Sequence, residues 1–69
     1  MKITFDKEAD AIFIEFDSGE FGSNKKIDSN TIIDLDKKGN ILGIELLNVS
    51  KRMSKEALSD ISVKNLVGA

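Results

Sequence analysis

Residues 3–16, ITFDKEADAIFIEF, and residues 33–46, IDLDKKGNILGIEL, are two copies of one pattern. Aligned without a gap at an offset of thirty positions, the copies share five identical residues in fourteen. In the second copy these are Ile33, Asp36, Lys37, Ile44 and Glu45. An internal repeat indicates one supersecondary unit used twice, so it constrains the architecture before any single residue does.

Each copy has the pattern of a β-hairpin, in which two apolar-alternating runs flank a polar break. In the first copy a four-residue loop at 7–10 pairs Ile3 with Ile14 and Phe5 with Ile12. This register places the large apolar side chains of both strands on one face, as a half-buried sheet requires.

The second copy predicts the same register. We expect a four-residue loop at 37–40, which pairs Ile33 with Ile44 and Leu35 with Leu42. A three-residue loop would set Asp34 opposite Leu42 and bury a carboxylate, which costs free energy. The two hairpins then share one predicted core face: Ile3, Phe5, Ile12, Ile14, Phe16, Ile33, Leu35, Leu42, Ile44 and Leu46.

After Leu47 the apolar residues recur every four positions, which is typical of a helix. The helix could begin at Asn48, Ser50 or Ser54, or break near Met53, because all three polar residues are competent N-caps. Its apolar stripe is Val49, Met53, Ala57 and Ile61, with Leu58 beside it.

The sequence therefore predicts an α+β fold: an antiparallel sheet of two repeated hairpins with one C-terminal helix packed on one face. Residues 22–27, in a connection rich in Gly, Ser and Asn, would add a fifth edge strand. One small domain is expected over residues 1–62, followed by a C-terminal tail at 63–69, which adds a strand or frays.

The composition excludes several classes of chemistry. The 69 residues include no cysteine and no histidine, so thiol nucleophiles, imidazole bases and nitrogen ligands for zinc are absent. We therefore expect no enzymatic activity, no cofactor and no bound metal. No apolar run approaches the ~20 residues that span a bilayer, and we expect a cytoplasmic protein without membrane contact.

A second group of apolar residues faces away from the predicted helix. Four large side chains on a nominally wet face indicate an interface with a second copy or another small protein. Equally, the tail or the connection at 17–30 could fold back and cover them. The predicted interface residues are Phe13, Ile32, Ile41 and Leu47.

Three carboxylates, Glu15, Asp34 and Glu45, share that open face. Such a cluster could hold a divalent cation or act as an acid/base pair, but a solvated charged face is the commoner arrangement. Residues 34–45 also follow the spacing of a calcium-binding EF-hand loop, except that Lys38 occupies a position where an oxygen ligand is required. A hairpin turn explains the same residues.

Basic residues occur in pairs at 25–26, 37–38 and 51–52. Converging pairs could bind phosphates, but the net charge is −2 and no aromatic residues lie between them. We therefore do not expect a nucleic-acid partner and interpret the pairs at 25–26 and 37–38 as solvated turn residues. The sequence leaves open whether Ser50, Lys51 and Arg52 cap a helix or recognise a partner.

The early and late motifs together resemble those of the short prokaryotic proteins known as domain of unknown function 2283. The resemblance covers residues 1 to about 53, and Val49 departs from it where alanine is usual. It implies a compact sheet-plus-helix domain without an established activity, and a role as an antitoxin-like partner of another small protein. The matching residues are Asp6, Glu8, Ala9, Asp10, Phe13, Asp34, Asp36, Gly39, Gly43, Ile44, Glu45, Ser50, Lys51 and Arg52.

These observations favour a non-enzymatic module that associates with itself or binds another small protein. The alternative is a carboxylate-based divalent-metal or hydrolytic site on the open face of the sheet.

Overall fold

A computed structural model describes residues 1–68, in which five strands form one antiparallel sheet and two short helices follow. The strand order across the sheet is β1-β2-β5-β4-β3, so the predicted α+β class is confirmed. The elements are β1 (Lys2–Asp6), β2 (Ala11–Glu15), β3 (Phe21–Asp28), β4 (Thr31–Asp36), β5 (Ile41–Leu47), α1 (Val49–Arg52) and α2 (Lys55–Ser59).

The two repeats are related by a local two-fold axis at the centre of the sheet. Ile14 on β2 lies directly opposite Ile44 on β5, and these residues are equivalents in the repeat. Because equivalent residues face each other, the axis passes between them, perpendicular to the sheet. The neighbouring pairs follow the same symmetry: Phe13 with Glu45, and Glu15 with Gly43.

The first hairpin has the predicted register. Ile3 pairs with Ile14 and Phe5 with Ile12, around a loop at 7–10. The loop is closed by a hydrogen bond that the Ala9 N–H donates to the Asp6 carboxylate (3.1 Å).

The second hairpin differs from the prediction, because its loop has three residues. The Asp36 N–H donates to the Asn40 carbonyl oxygen (2.8 Å), and Gly39 adopts the positive φ of 86° that closes such loops. A β-bulge at Leu42 then adds one residue to β5, so Leu35 lies opposite Ile41 rather than Leu42. Because of the bulge, Asp34 lies opposite Gly43 and not opposite Leu42. The unfavourable Asp34–Leu42 pairing, for which the three-residue loop was rejected, is therefore absent.

Asp36 organises that loop. Its carboxylate accepts hydrogen bonds from the Asn40 N–H (2.8 Å), the Lys38 N–H (2.9 Å) and the Asn40 side-chain amide (3.1 Å). The Asn40 backbone bond is the main reason that the pKa of Asp36 lies below its ordinary value. This carboxylate is thus occupied by the turn, as the hairpin interpretation of residues 34–45 requires.

The fifth strand predicted at 22–27 is present as β3, which pairs with β4 along the sheet edge. Two register shifts interrupt the β3–β4 pairing, and Lys25 and Lys26 lie on β3. Bulges and lysines both oppose the addition of further strands, so this edge is protected.

The C-terminal segment forms two short helices instead of one. Met53 adopts an extended conformation between them, and the Ser54 side chain accepts a hydrogen bond from the Ala57 N–H, which starts α2. Of the alternatives that the sequence left open, the break near Met53 is the one present, and the prediction of a single helix is wrong. Because α2 ends at Ser59, Ile61 does not continue the predicted helical stripe.

Residues 60–68 form neither helix nor strand. The predicted tail at 63–69 includes Ala69, which lies outside the described residues, and the predicted domain boundary after residue 62 is not tested. Within residues 1–68, no helix has the length and apolar character needed to cross a membrane.

The core is small for a chain of this length. Among the described residues, only Ala11, Ile12 and Val49 are buried apolar side chains. The helices lie at one end of the sheet, where α2 and Phe5 line a common groove. The predicted helix cover is therefore partial, and most of the predicted core face remains open.

Candidate interaction surface

Four isoleucines form a continuous row across the sheet. Ile3 pairs with Ile14, Ile14 with Ile44, and Ile44 with Ile33, so the row crosses β1, β2, β5 and β4. Directly paired residues share a face of the sheet. We call the surface around this row the isoleucine face; by cross-strand pairing it comprises Ile3, Phe5, Ile12, Ile14, Thr31, Ile33, Leu35, Ile41, Ile44 and Leu46.

On the strands β1, β2, β5 and β4, the isoleucine face carries no charged residue. Charges border the face at the β3 edge, where Lys25 lies opposite Ile33 and Asp28 opposite Thr31. They also border it at the helical end, where Lys55 and Glu56 line the groove beside Phe5. An uncharged centre with a polar rim is the usual anatomy of a protein–protein interface.

This face is poorly covered by the chain itself. Ile3 is 38% exposed, Phe5 37% and Ile41 48%, whereas Ile12, beneath the helical end, is 9% exposed. Within the isoleucine row, Ile3 is thus exposed, whereas Ile14, Ile44 and Ile33 are half-buried. The sequence predicted eight of the ten residues that define this face; it did not predict Thr31 and Ile41, or that the face would remain open.

The opposite surface, here called the polar face, holds most of the residues predicted as an interface. Phe13 pairs with Glu45, which also pairs with Ile32, so a carboxylate separates the two apolar side chains. Leu47 pairs with Ala11 at the end of the same face. Ile41 is the exception: its pairing with Leu35 across the bulge puts it on the isoleucine face, which corrects its predicted placement.

Two of the three predicted carboxylates interact on the polar face. Burial raises the pKa of Glu45 to about 7, and the hydrogen bond to Asp34 and the negative charge of Asp34 contribute further. The Oδ1 atom of Asp34 is buried and has no hydrogen-bond partner within residues 1–68. Phe13 and Ile32 flank Glu45 and partly shield it from water, which accounts for the burial effect.

The third carboxylate, Glu15, does not join this pair. Glu15 and Asp34 both pair with Gly43 from opposite sides, which separates their backbones by two strand spacings, about 10 Å. Lys2 and both carboxylates line a groove of about 380 Å³ there. The described part of the chain contains no group of three or more acidic side chains that could hold a metal ion. Nothing therefore supports the predicted metal alternative.

Ser50 and Arg52 have structural partners. The Ser50 N–H and hydroxyl donate to the two carboxylate oxygens of Asp10 (3.1 and 2.7 Å), and the Val49 N–H donates to the Asp10 carbonyl (3.1 Å). The Arg52 guanidinium donates to the carbonyl oxygen of Asn30 (2.9 Å). These hydrogen bonds anchor α1 to the turns that precede β2 and β4.

The contacts of α1 with Asp10 and Asn30 were not predicted from the sequence. Asp10 has a positive φ of 52°, which aims its carbonyl and carboxylate at the start of α1. The Asn48 side-chain amide donates a hydrogen bond to the Asn30 side-chain oxygen (2.7 Å), in addition to the bond from Arg52 to the Asn30 carbonyl oxygen. One signal in the sequence was the difference between Asp10 and its repeat equivalent Asn40.

The basic pairs at 37–38 and 51–52 do not converge. The pair at 37–38 lies in the loop before β5 and the pair at 51–52 in α1 after it, so the length of a seven-residue strand, about 20 Å, separates them. Lys37 instead forms an exposed ion pair with Glu20 (2.8 Å).

The fold and the surface together define a class: a small α+β protein with a duplicated hairpin, one sheet and an uncovered apolar face. The family model described as "Protein of unknown function (DUF2283)" matches residues 2–50, and the chain belongs to that family. The matched range contains all five strands and ends at Ser50, within the Asp10–Ser50 contact. No curated protein and no solved structure matches the chain.

Proposed function

We propose that this protein is a non-enzymatic interaction module that binds a polypeptide through the isoleucine face. The observation that carries the proposal is the exposure of Ile3, Phe5 and Ile41, each more than a third accessible, on a sheet face to which β1, β2, β5 and β4 contribute no charged side chain. Contiguous apolar surface of this kind is uncommon on isolated soluble chains and marks binding sites.

The size of the accessible surface supports the proposal. The chain exposes 5504 Å², whereas a compact monomer of 7.6 kDa exposes about 4,300 Å². Its radius of gyration is 13.3 Å, compared with about 11 Å for a compact chain of 69 residues. A partner that covers the sheet would bring the accessible surface closer to that of a packed protein.

Electrostatics favours the isoleucine face over the polar face, where the interface was first predicted. A partner on the polar face would bury Asp34 and Glu45 together, and removing two neighbouring carboxylates from water costs several kcal/mol per ion. A partner on the isoleucine face buries no charge from β1, β2, β5 or β4. The interface predicted around Phe13, Ile32 and Leu47 is therefore the weaker candidate.

The proposal assigns no catalytic role. The chain has neither histidine nor cysteine, and Asp34 and Glu45 face each other rather than a third reacting group. We also propose the cytoplasmic location expected from the sequence, because a chain without cysteine cannot form the disulfides that stabilise proteins of oxidising compartments.

The test is affinity capture from native cells with the tagged full-length protein and two neighbouring variants. Ile3→Lys places a charge on the isoleucine face, and Thr4→Lys, the next residue of the same edge strand, places it on the other face. We expect the wild type and Thr4→Lys to recover the same polypeptide and Ile3→Lys to lose it, with circular dichroism confirming that all three are folded. A polypeptide recovered equally by all three would contradict the proposal.

A further inference from the structure

We propose that the polypeptide bound to the isoleucine face is a second copy of the same chain, stacked face to face about a two-fold axis. This inference rests on the proposed function and names its partner. The resulting particle would be a two-layer β-sandwich with the isoleucine rows of both copies at its centre.

The area available agrees with a dimer. The excess of accessible surface over a compact monomer is about 1,200 Å² per chain, and a stable interface buries about 800 Å² per partner. Part of the excess belongs to residues 60–68, where Val63, Leu66 and Val67 are more than 80% exposed. The isoleucine face supplies the rest, so the interface would lie at the small end of the range.

The chemistry of the face suits a copy of itself. An isologous interface sets the same surface against itself, so any charge at its centre meets an identical charge. The isoleucine row can pack against its own copy without repulsion, because it is uncharged. Thr31 is the only polar residue among the ten that define the face. The polar face fails this requirement, because Asp34 and Glu45 would oppose their own copies.

The shape of the chain fixes the orientation of the axis. The chain is a slab 18 Å thick, and α2 covers the sheet only near Phe5. A two-fold axis parallel to the isoleucine row turns the helices of the partner to the opposite end of the sandwich. The helices then flank the stacked sheets without clashing, and Ile3 of one copy lies near Ile3 of the other at the end of the row.

The first experiment measures the mass of the purified full-length chain by sedimentation equilibrium, up to about 100 μM, a range that covers the micromolar affinities of small interfaces. We expect twice the chain mass of 7.6 kDa for the wild type and for Thr4→Lys. Ile3→Lys and Ile41→Lys, both at exposed positions, should weaken the dimer at least about tenfold, since a lysine would have to be desolvated against the partner.

A second experiment locates the contact, and the absence of cysteine from the chain makes it specific. Ile3→Cys should form a dimer with a short bismaleimide cross-linker, and Thr4→Cys should form much less. Equal cross-linking of both variants would indicate that the β1 edges pair instead, and would overturn the stacked arrangement.

The outcomes separate this inference from the proposed function. A wild-type chain that is monomeric at every concentration overturns the second copy as partner. If affinity capture with the wild type still recovers a different polypeptide, and capture with Ile3→Lys does not, the proposed function holds and that polypeptide is the partner. If the chain is monomeric and captures nothing through this face, both proposals fail, and its own residues 60–68 become the candidate cover.

Discussion

Replacing Glu45 by glutamine should remove most of the pH dependence of folding stability between pH 5 and pH 8. Glu45 lies between Phe13 and Ile32 and beside Asp34, and its pKa is raised to about 7 in the folded protein, from an ordinary value of 4.5. The unfolded chain loses this proton at a lower pH than the folded chain does. The folded state therefore binds more protons within this window, and its stability falls as the pH rises.

The shift sets the magnitude. At 1.36 kcal/mol per pH unit, the full difference between 4.5 and about 7 corresponds to about 3.4 kcal/mol. Glu45 keeps contact with solvent on the open sheet face, so screening reduces the effect, and we expect a loss of about 1–2 kcal/mol between pH 5 and pH 8. Above pH 8 the contribution of Glu45 should be constant, because the carboxyl is ionised in both states.

The assay is urea unfolding at fixed protein concentration, followed by circular dichroism at pH 5, 6, 7 and 8. Glu45→Gln should have a nearly constant free energy of unfolding and should exceed the wild type at pH 8. Glu15→Gln, on the same face but outside the pair, is the matched control and should retain the wild-type slope. A Glu45→Gln protein that loses as much stability as the wild type would refute the assignment of the shifted proton to this pair.

Three further perturbations test the fold. Gly43→Ala should destabilise the protein by about 1–3 kcal/mol in urea unfolding, because the added Cβ would lie 2.5 Å from a carbonyl oxygen of β2. Ser50→Ala and Asp10→Ala should each cost about 1 kcal/mol, and a double-mutant cycle should show that their effects are not additive, since they remove one shared contact; additive losses would contradict this contact. Lys37→Ala should change stability by less than about 0.5 kcal/mol, because its pair with Glu20 is exposed on both sides, and a larger loss would show that the pair is more than a surface contact.

The sheet was predictable from the sequence because the repeat constrains it twice. Alternation of apolar residues fixes which side chains share a face, and a slip of one residue would turn every one of them over. The pairs Ile3–Ile14 and Ile33–Ile44 follow from this rule alone. The pairing of β2 with β5, and with it the local two-fold axis, was not predicted.

The errors in the second hairpin arose because a shorter loop is compensated by a β-bulge in the following strand. The predicted four-residue loop kept Asp34 away from Leu42, but a three-residue loop followed by a bulge achieves the same result. Because the bulge restores the residue that the loop loses, the two copies still align without a gap. Periodicity cannot distinguish these arrangements, and Ile41 was therefore assigned to the wrong face.

The candidate surface was predictable in composition but not in accessibility. The apolar period after Leu47 suggested one helix long enough to cover the sheet, yet Ser54 starts a new helix after Met53, and the second helix ends at Ser59. Five residues of helix cannot cover four strands. The Asp34–Glu45 interaction depends on diagonal contacts across strands, which residue spacing along the chain does not reveal.

The central symmetry bears on how such a chain could have originated. Four of its strands form two hairpins of about fifteen residues that meet across Ile14 and Ile44. Two identical peptides of half the length, each forming one hairpin, could assemble the same four strands, and fusing their genes would join them covalently. A single hairpin has too little apolar contact to persist alone in water, so the ancestor would have had to be an obligate pair from the start.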